Sequence, residues 1–153
     1  MADRVSASIA LGGQITSEQF AVLCPLIALG DLRLDWDGEP FAPEQRPENG
    51  PLCLFAHDVP WGNFDALEQY CSDKHIAYVR WSGSCPGSFG AERIVYDGNS
   101  GPFNFSVDED DRLVLHVETI TRLGSMRAIR RYITEAEIDL PPFAVADGGV
   151  PPD

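Results

Sequence analysis

Between Val5 and Trp81 the spacing of apolar residues switches repeatedly between two and about 3.6. That alternation restricts the chain to a sheet with helices laid on it. In "RVSASIAL", Val5, Ala7, Ile9 and Leu11 oppose Arg4, Ser6, Ser8 and Ala10, the pattern of a half-buried strand broken by Gly12 and Gly13. "TSEQFAVLCPLIALG" follows with Thr16 and Gln19 at capping-box spacing. Its Phe20, Leu23, Cys24 and Ile27 recur at helical intervals, and Gly30 is a natural terminator. Pro25 lacks a backbone donor, which predicts a kink or a shortened helix.

"LRLDWDG" predicts a second strand, with Leu32, Leu34 and Trp36 on one face and Arg33, Asp35 and Asp37 on the other. Residues 38–51 hold four prolines and read as an exposed loop. "LCLFAHDV" is the next strand. "NFDALEQYC" is a helix capped by Asn63, with Phe64, Leu67 and Cys71 turned inward, and "IAYVRW" returns as a strand. The resulting β-α-β-β-α-β order resembles that of ferredoxin-like folds, an antiparallel sheet with two helices on one face. "ERIVYD", "PFNFSV" and "RLVLHV" predict a meander that extends the sheet, and "SMRAIRRYITEAEI" a third helix capped by Ser125. The expected fold is therefore α+β: a ferredoxin-like βαββαβ core, a C-terminal β-meander and a third helix. One domain covers residues 1–140, and residues 141–153 form a tail with a short strand from Phe143 to Val145.

Charge narrows the function. Twenty-four acidic residues face 11 basic ones, giving −13, and Lys74 is the single lysine. Such a field repels nucleic acid and anionic membranes and attracts basic surfaces. The opening residues lack the basic start and apolar core of a signal peptide, and no apolar run approaches the ~18 residues of a membrane span. Cys24, Cys53, Cys71 and Cys85 form no C-x-x-C pair and read as reduced thiols, which makes the expected compartment cytoplasmic.

The glycine-, serine- and cysteine-rich stretch "SGSCPGSFG" raises the question of catalysis. A phosphate-cradling loop needs a lysine and a following helix, whereas Lys74 lies upstream and a strand follows Gly90. Cys85 as a nucleophile needs a histidine base and a third orienting group, for which His57 and Asp58 are the candidates. Pro86 beside Cys85 fits a plain turn, and an inter-strand loop is the simpler reading. The dispersed histidines and cysteines offer no close ligand pair, so neither a metal nor a cofactor is expected.

Two sets of charges remain as candidate binding residues. Acids gather at Asp35, Asp37 and Glu39, and again at Asp108, Glu109, Asp110 and Asp111. Against them, Arg122, Arg127, Arg130 and Arg131 occupy ten residues without one acid, and without these four cations the chain stands at −17. Arg127, Arg130 and Arg131 fall on one helical face, opposite Met126, Ile129, Tyr132 and Ile133, which predicts a buried apolar stripe and an arginine docking stripe. The function expected is a small acidic protein-binding module with a basic partner and no direct contact with nucleic acid or membrane. Its sharpest form is an inhibitor of restriction or CRISPR-type machinery, whose carboxylates mimic nucleic-acid charge. The alternative is a small-molecule enzyme or ligand-binding domain centred on residues 82–90. A homo-oligomer is compatible with either.

Overall fold

The computed structural model describes residues 3–146. Its sheet is built from β1 (Arg4–Thr16), β2 (Leu52–Pro60), β3 (Ala77–Ser82), β4 (Glu92–Tyr96), β5 (Phe103–Ser106) and β6 (Phe143–Ala146). The helices are α1 (Ser17–Leu29), α2 (Asp65–Asp73), α3 (Val117–Leu123) and α4 (Met126–Ala136). The strand order is β2-β1-β3-β4-β5, antiparallel throughout, with β6 parallel to the far end of β1. The fold is α+β, and its strand order differs from the expected βαββαβ arrangement.

The inward positions of the first strand behave as their alternation requires. Ala7, Ile9 and Leu11 are buried with Leu52, Leu54 and Ala56 of β2, beneath Leu23 and Ile27 of α1 and Leu67 and Cys71 of α2. Thr16 caps α1, its side chain accepting the Gln19 N–H while the Gln19 side chain accepts the Thr16 N–H. The helix runs through Pro25 to Leu29. On the opposite sheet face a smaller core forms, where Val95 and Phe105 meet Ala136 and Tyr132 of α4. Helices therefore cover both faces of the sheet.

Four local expectations are corrected. Gly12 and Gly13 do not end β1: the strand passes through them and exchanges β2 and β3 for β6. The missing Cβ of Gly12 is the reason, since one there would lie 2.5 Å from the Pro141 carbonyl oxygen. The expected strand over residues 32–38 shrinks to isolated bridges at Arg33, which exchanges backbone hydrogen bonds with Phe55 and also bridges to Pro40, and the chain between loops out through Trp36. Phe64 rather than Asn63 caps α2, its N–H donating to the Glu68 carboxylate at 2.6 Å. The expected strand "RLVLHV" leaves only a bridge between Val107 and Leu113, and Val117 opens α3, whose Glu118 and Arg122 complement the helix dipole at its two ends. Gly124 closes that helix in a left-handed conformation.

All four cysteines are free. Burial pushes the Cys71 thiol up to about 12, whereas Cys53 lies exposed. A thiol reagent applied to native protein is expected to label Cys53 ahead of Cys71, which reacts only on unfolding. Denatured, unreduced protein should titrate four thiols, and a count of two would refute this assignment.

Candidate functional site

A β-bulge in β2 shapes a concavity at one end of the sheet. Val5 pairs with Val59 and Ala7 with Ala56, so Ser6 faces both His57 and Asp58 across a β-bulge. Asp58 takes a φ of +54°, which an aspartate tolerates better than most residues. The extra residue leaves both polar side chains outside and returns Val59 to the core. Asp31 makes the matching turn after α1, at a φ of +52°.

These turns open a cleft of about 870 Å³ between the end of β2, the end of α1, the 30–37 loop and the start of α2. Leu26, Leu29, Val59, Phe64 and Leu67 supply apolar surface. Trp36 forms one edge, with its ring 4.9 Å from that of Phe55 and 5.2 Å from the His57 imidazole. Asp31, Asp37, Asp58 and Asp65 line the space against only two cations, Arg4 and Arg33. Both guanidinium groups are already engaged. Arg4 donates to the Asp58 carbonyl at 2.9 Å, and Arg33 to the Gly38 carbonyl at 2.7 Å and to Asp31 at 3.3 Å. Among the described residues, no cation pairs with the Asp58 or Asp65 carboxylate. The cleft is thus net acidic, partly apolar and bordered by an indole.

Ser6, His57 and Asp37 form a line of familiar residue types. Ser6 Oγ lies 3.1 Å from His57 Nδ1, and His57 Nε2 lies 3.6 Å from an Asp37 oxygen. A nucleophilic triad requires a sheltered carboxylate that holds the imidazole in place. Here the Asp37 side chain is 96% exposed and that of His57 52%, so water competes for both contacts. The line is a surface polar contact.

The candidate nucleophile stands apart from this group. The bonds that His57 makes run to Ser6 and Asp37, and Asp58 lies on the cleft rim, so neither forms a pair with Cys85. The 82–90 loop bonds chiefly to itself and its neighbours. Cys85 and Phe89 exchange backbone hydrogen bonds, and Gly83 N–H donates to the Ser6 carbonyl. Glu109 accepts from the backbone N–H and the hydroxyl of Ser84.

The two acidic clusters separate in role. Asp35 and Asp37 lie on the excursion around Trp36 instead of side by side on a strand, and Asp37 alone of the trio with Glu39 lines the cleft. In the other cluster, Asp108 accepts from the backbone of Asp110 and Arg112 and from the Arg112 guanidinium. The Arg112 backbone bond is the main reason its carboxyl is held below the ordinary range. Asp111 bonds to buried Arg93, and burial nevertheless raises its carboxyl above the ordinary value. Asp110 lies 3.6 Å from Arg112. These carboxylates hold loops in place, so neutralising all four at once removes structural contacts as well as surface charge.

Arg127, Arg130 and Arg131 are exposed on α4, with Arg131 3.4 Å from Glu135. The apolar stripe, which Arg130 borders, is only partly buried: Ile129 and Tyr132 are half-buried, while Met126 and Ile133 remain exposed. Sequence reasoning missed Trp36, Arg33 and Asp65 as cleft residues. The one available signal was Asp58, an aspartate beside a proline-containing strand end, where a left-handed turn is tolerated.

Fold and site together define an α+β sheet protein with an acidic, aromatic-edged cleft at one end of its sheet. Compared with models of known protein families, with curated proteins and with solved structures, the chain matches none. No helix among the described residues is long and apolar enough to cross a membrane.

Proposed function

We propose that the chain is a small, acidic, cytoplasmic protein-binding module whose cleft receives a cationic segment of a basic partner. The observation that carries this reading is the composition of the cleft: four carboxylates against two arginines that already have internal acceptors, beside the face-forming indole of Trp36. An arginine or lysine side chain entering there has an apolar floor for its methylenes, an aromatic surface for its charge and carboxylates for its donors. A volume of about 870 Å³ suits a side chain or two of a peptide and lies within the range of ordinary ligand sites. The narrower version, inhibition of a DNA- or RNA-handling protein by charge mimicry, draws its support from the −13 balance alone.

The test uses a fluorescein-labelled oligoarginine peptide as probe. Wild-type protein is expected to bind it in a salt-sensitive manner, and Asp37→Asn with Asp65→Asn to weaken binding about tenfold, mainly through slower association. Trp36→Ala is expected to weaken it by a similar factor that salt does not remove. Binding that ignores all three substitutions would show that the cleft is not the receptor.

A further inference from the structure

Two apolar surfaces of this chain are left uncovered, and their charges are opposite. The first is the α3–α4 hairpin, where Val117 is 75% exposed, Met126 62%, Ile120 45% and Ile133 39%. Arg130 stands four residues after Met126 and three before Ile133, so it borders that apolar stripe; it, Arg122 and Arg127 have no carboxylate partner among the described residues. The second is the outer side of α1. That helix is apolar nearly all round, a composition that normally implies burial on every side. Yet Leu29 is 77% exposed and Val22 45%, with Pro25 exposed between them. Glu18 is its one charged residue, and Leu29 leads directly onto the acidic cleft.

We infer that the basic hairpin of one copy docks on the α1 face and acidic cleft rim of a second copy. Each surface supplies what the other lacks: aliphatic side chains meet aliphatic side chains, and unpartnered arginines meet unpartnered aspartates. An anionic membrane is the other surface that suits a basic amphipathic hairpin, and vesicle binding is the outcome that would replace self-docking. Because the two patches differ, the contact either forms twice in a reciprocal two-fold pair or propagates head-to-tail. The inference rests on the reading of the cleft as a receptor for cations, and it names a self-supplied occupant for it.

Sedimentation equilibrium tests it with two variants whose fold is checked by circular dichroism. One carries Arg127→Glu and Arg130→Glu on the hairpin; the other carries Asp37→Lys and Asp65→Lys on the cleft. Wild type is expected to self-associate, and to weaken at least about tenfold between about 0.05 M and about 0.5 M salt. Each variant alone should be monomeric, and an equimolar mixture should associate again, because each reversed surface then meets its complement. A monomeric wild type that still binds oligoarginine would overturn the self-docking and leave the cleft reading standing; a monomer that binds none would overturn both. Self-association indifferent to either reversal, or a monomer retained on phosphatidylserine vesicles through its hairpin, would also overturn it.

Discussion

Replacing Arg80 with Met is expected to destabilise the fold by about 3–5 kcal/mol, the usual cost of removing one partner from a buried ion pair. Arg80 is 4% exposed and sits on the face of β3 that α1 and α2 cover, opposite Ile9. Its Nε donates to Glu68 of α2 at 3.0 Å, and its other nitrogens donate to Glu92, the Gly62 carbonyl and Ser82 Oγ. The Glu68 side chain is only 12% exposed and also receives the N–H that starts α2. Without Arg80 its charge is buried and uncompensated. Adding Glu68→Gln to Arg80→Met should recover part of the loss, since a neutral amide costs less to bury than an orphaned carboxylate. Chemical denaturation of the single and double variants measures this. Equal stability of wild type and Arg80→Met would show that the network contributes nothing.

Arg93→Met is expected to cost about 2–3 kcal/mol and to act locally. Arg93 lies one strand away but on the other face, and is 5% exposed. It donates to the Ala136 carbonyl at the end of α4, pairs with Glu137 at 3.2 Å, and holds Asp111 through both its carboxylate and its carbonyl. A cation at that helix end satisfies free carbonyls and opposes the dipole. Its loss should release α3, α4 and the 108–111 loop while the larger core stays folded. Hydrogen exchange should therefore accelerate in α4 and leave β1 protected, whereas uniform acceleration would contradict a local role. The deficit should also depend on pH. Burial already raises the Asp111 carboxyl above its ordinary 3.8, and removing the guanidinium raises it further. A carboxyl with a raised folded-state value is most costly when ionised, so the deficit is greatest at neutral pH. It should shrink as pH falls through that raised value toward 3.8.

The two arginines show why part of this molecule was legible in the chain and part was not. "IAYVRW" and "ERIVYD" read as strands, and strands form over Ala77–Ser82 and Glu92–Tyr96, because β-branched and aromatic residues at period two are a local property. The same pattern makes Arg80 and Arg93 look like wet-face residues, yet both are buried. What places them inside is a distant carboxylate: Glu68 twelve residues away for one, Glu137 on another element for the other. Thr16 with Gln19, and Ser125 with the Ala128 N–H, were readable for the opposite reason, since a cap oxygen and the backbone N–H that donates to it lie three residues apart.

The sequence by itself determined the class and most of the elements: α+β, two helices begun by the caps Thr16 and Ser125, strands carried by alternation, and a strongly acidic composition with cations gathered near residues 122–131. Only the tertiary structure decided which elements meet. Leu32 to Trp36 alternate like a strand, but Leu32 enters the core while Trp36 crosses to the outer face against Phe55 and Trp81. Gly12 reads as a break, and its missing Cβ instead admits the chain leading into β6. The cleft draws on four separated segments, so no window of sequence contains it. Periodicity reports how one segment divides its own faces, whereas burial and charge pairing depend on what arrives from elsewhere in the chain, and that is settled by the packing of the whole.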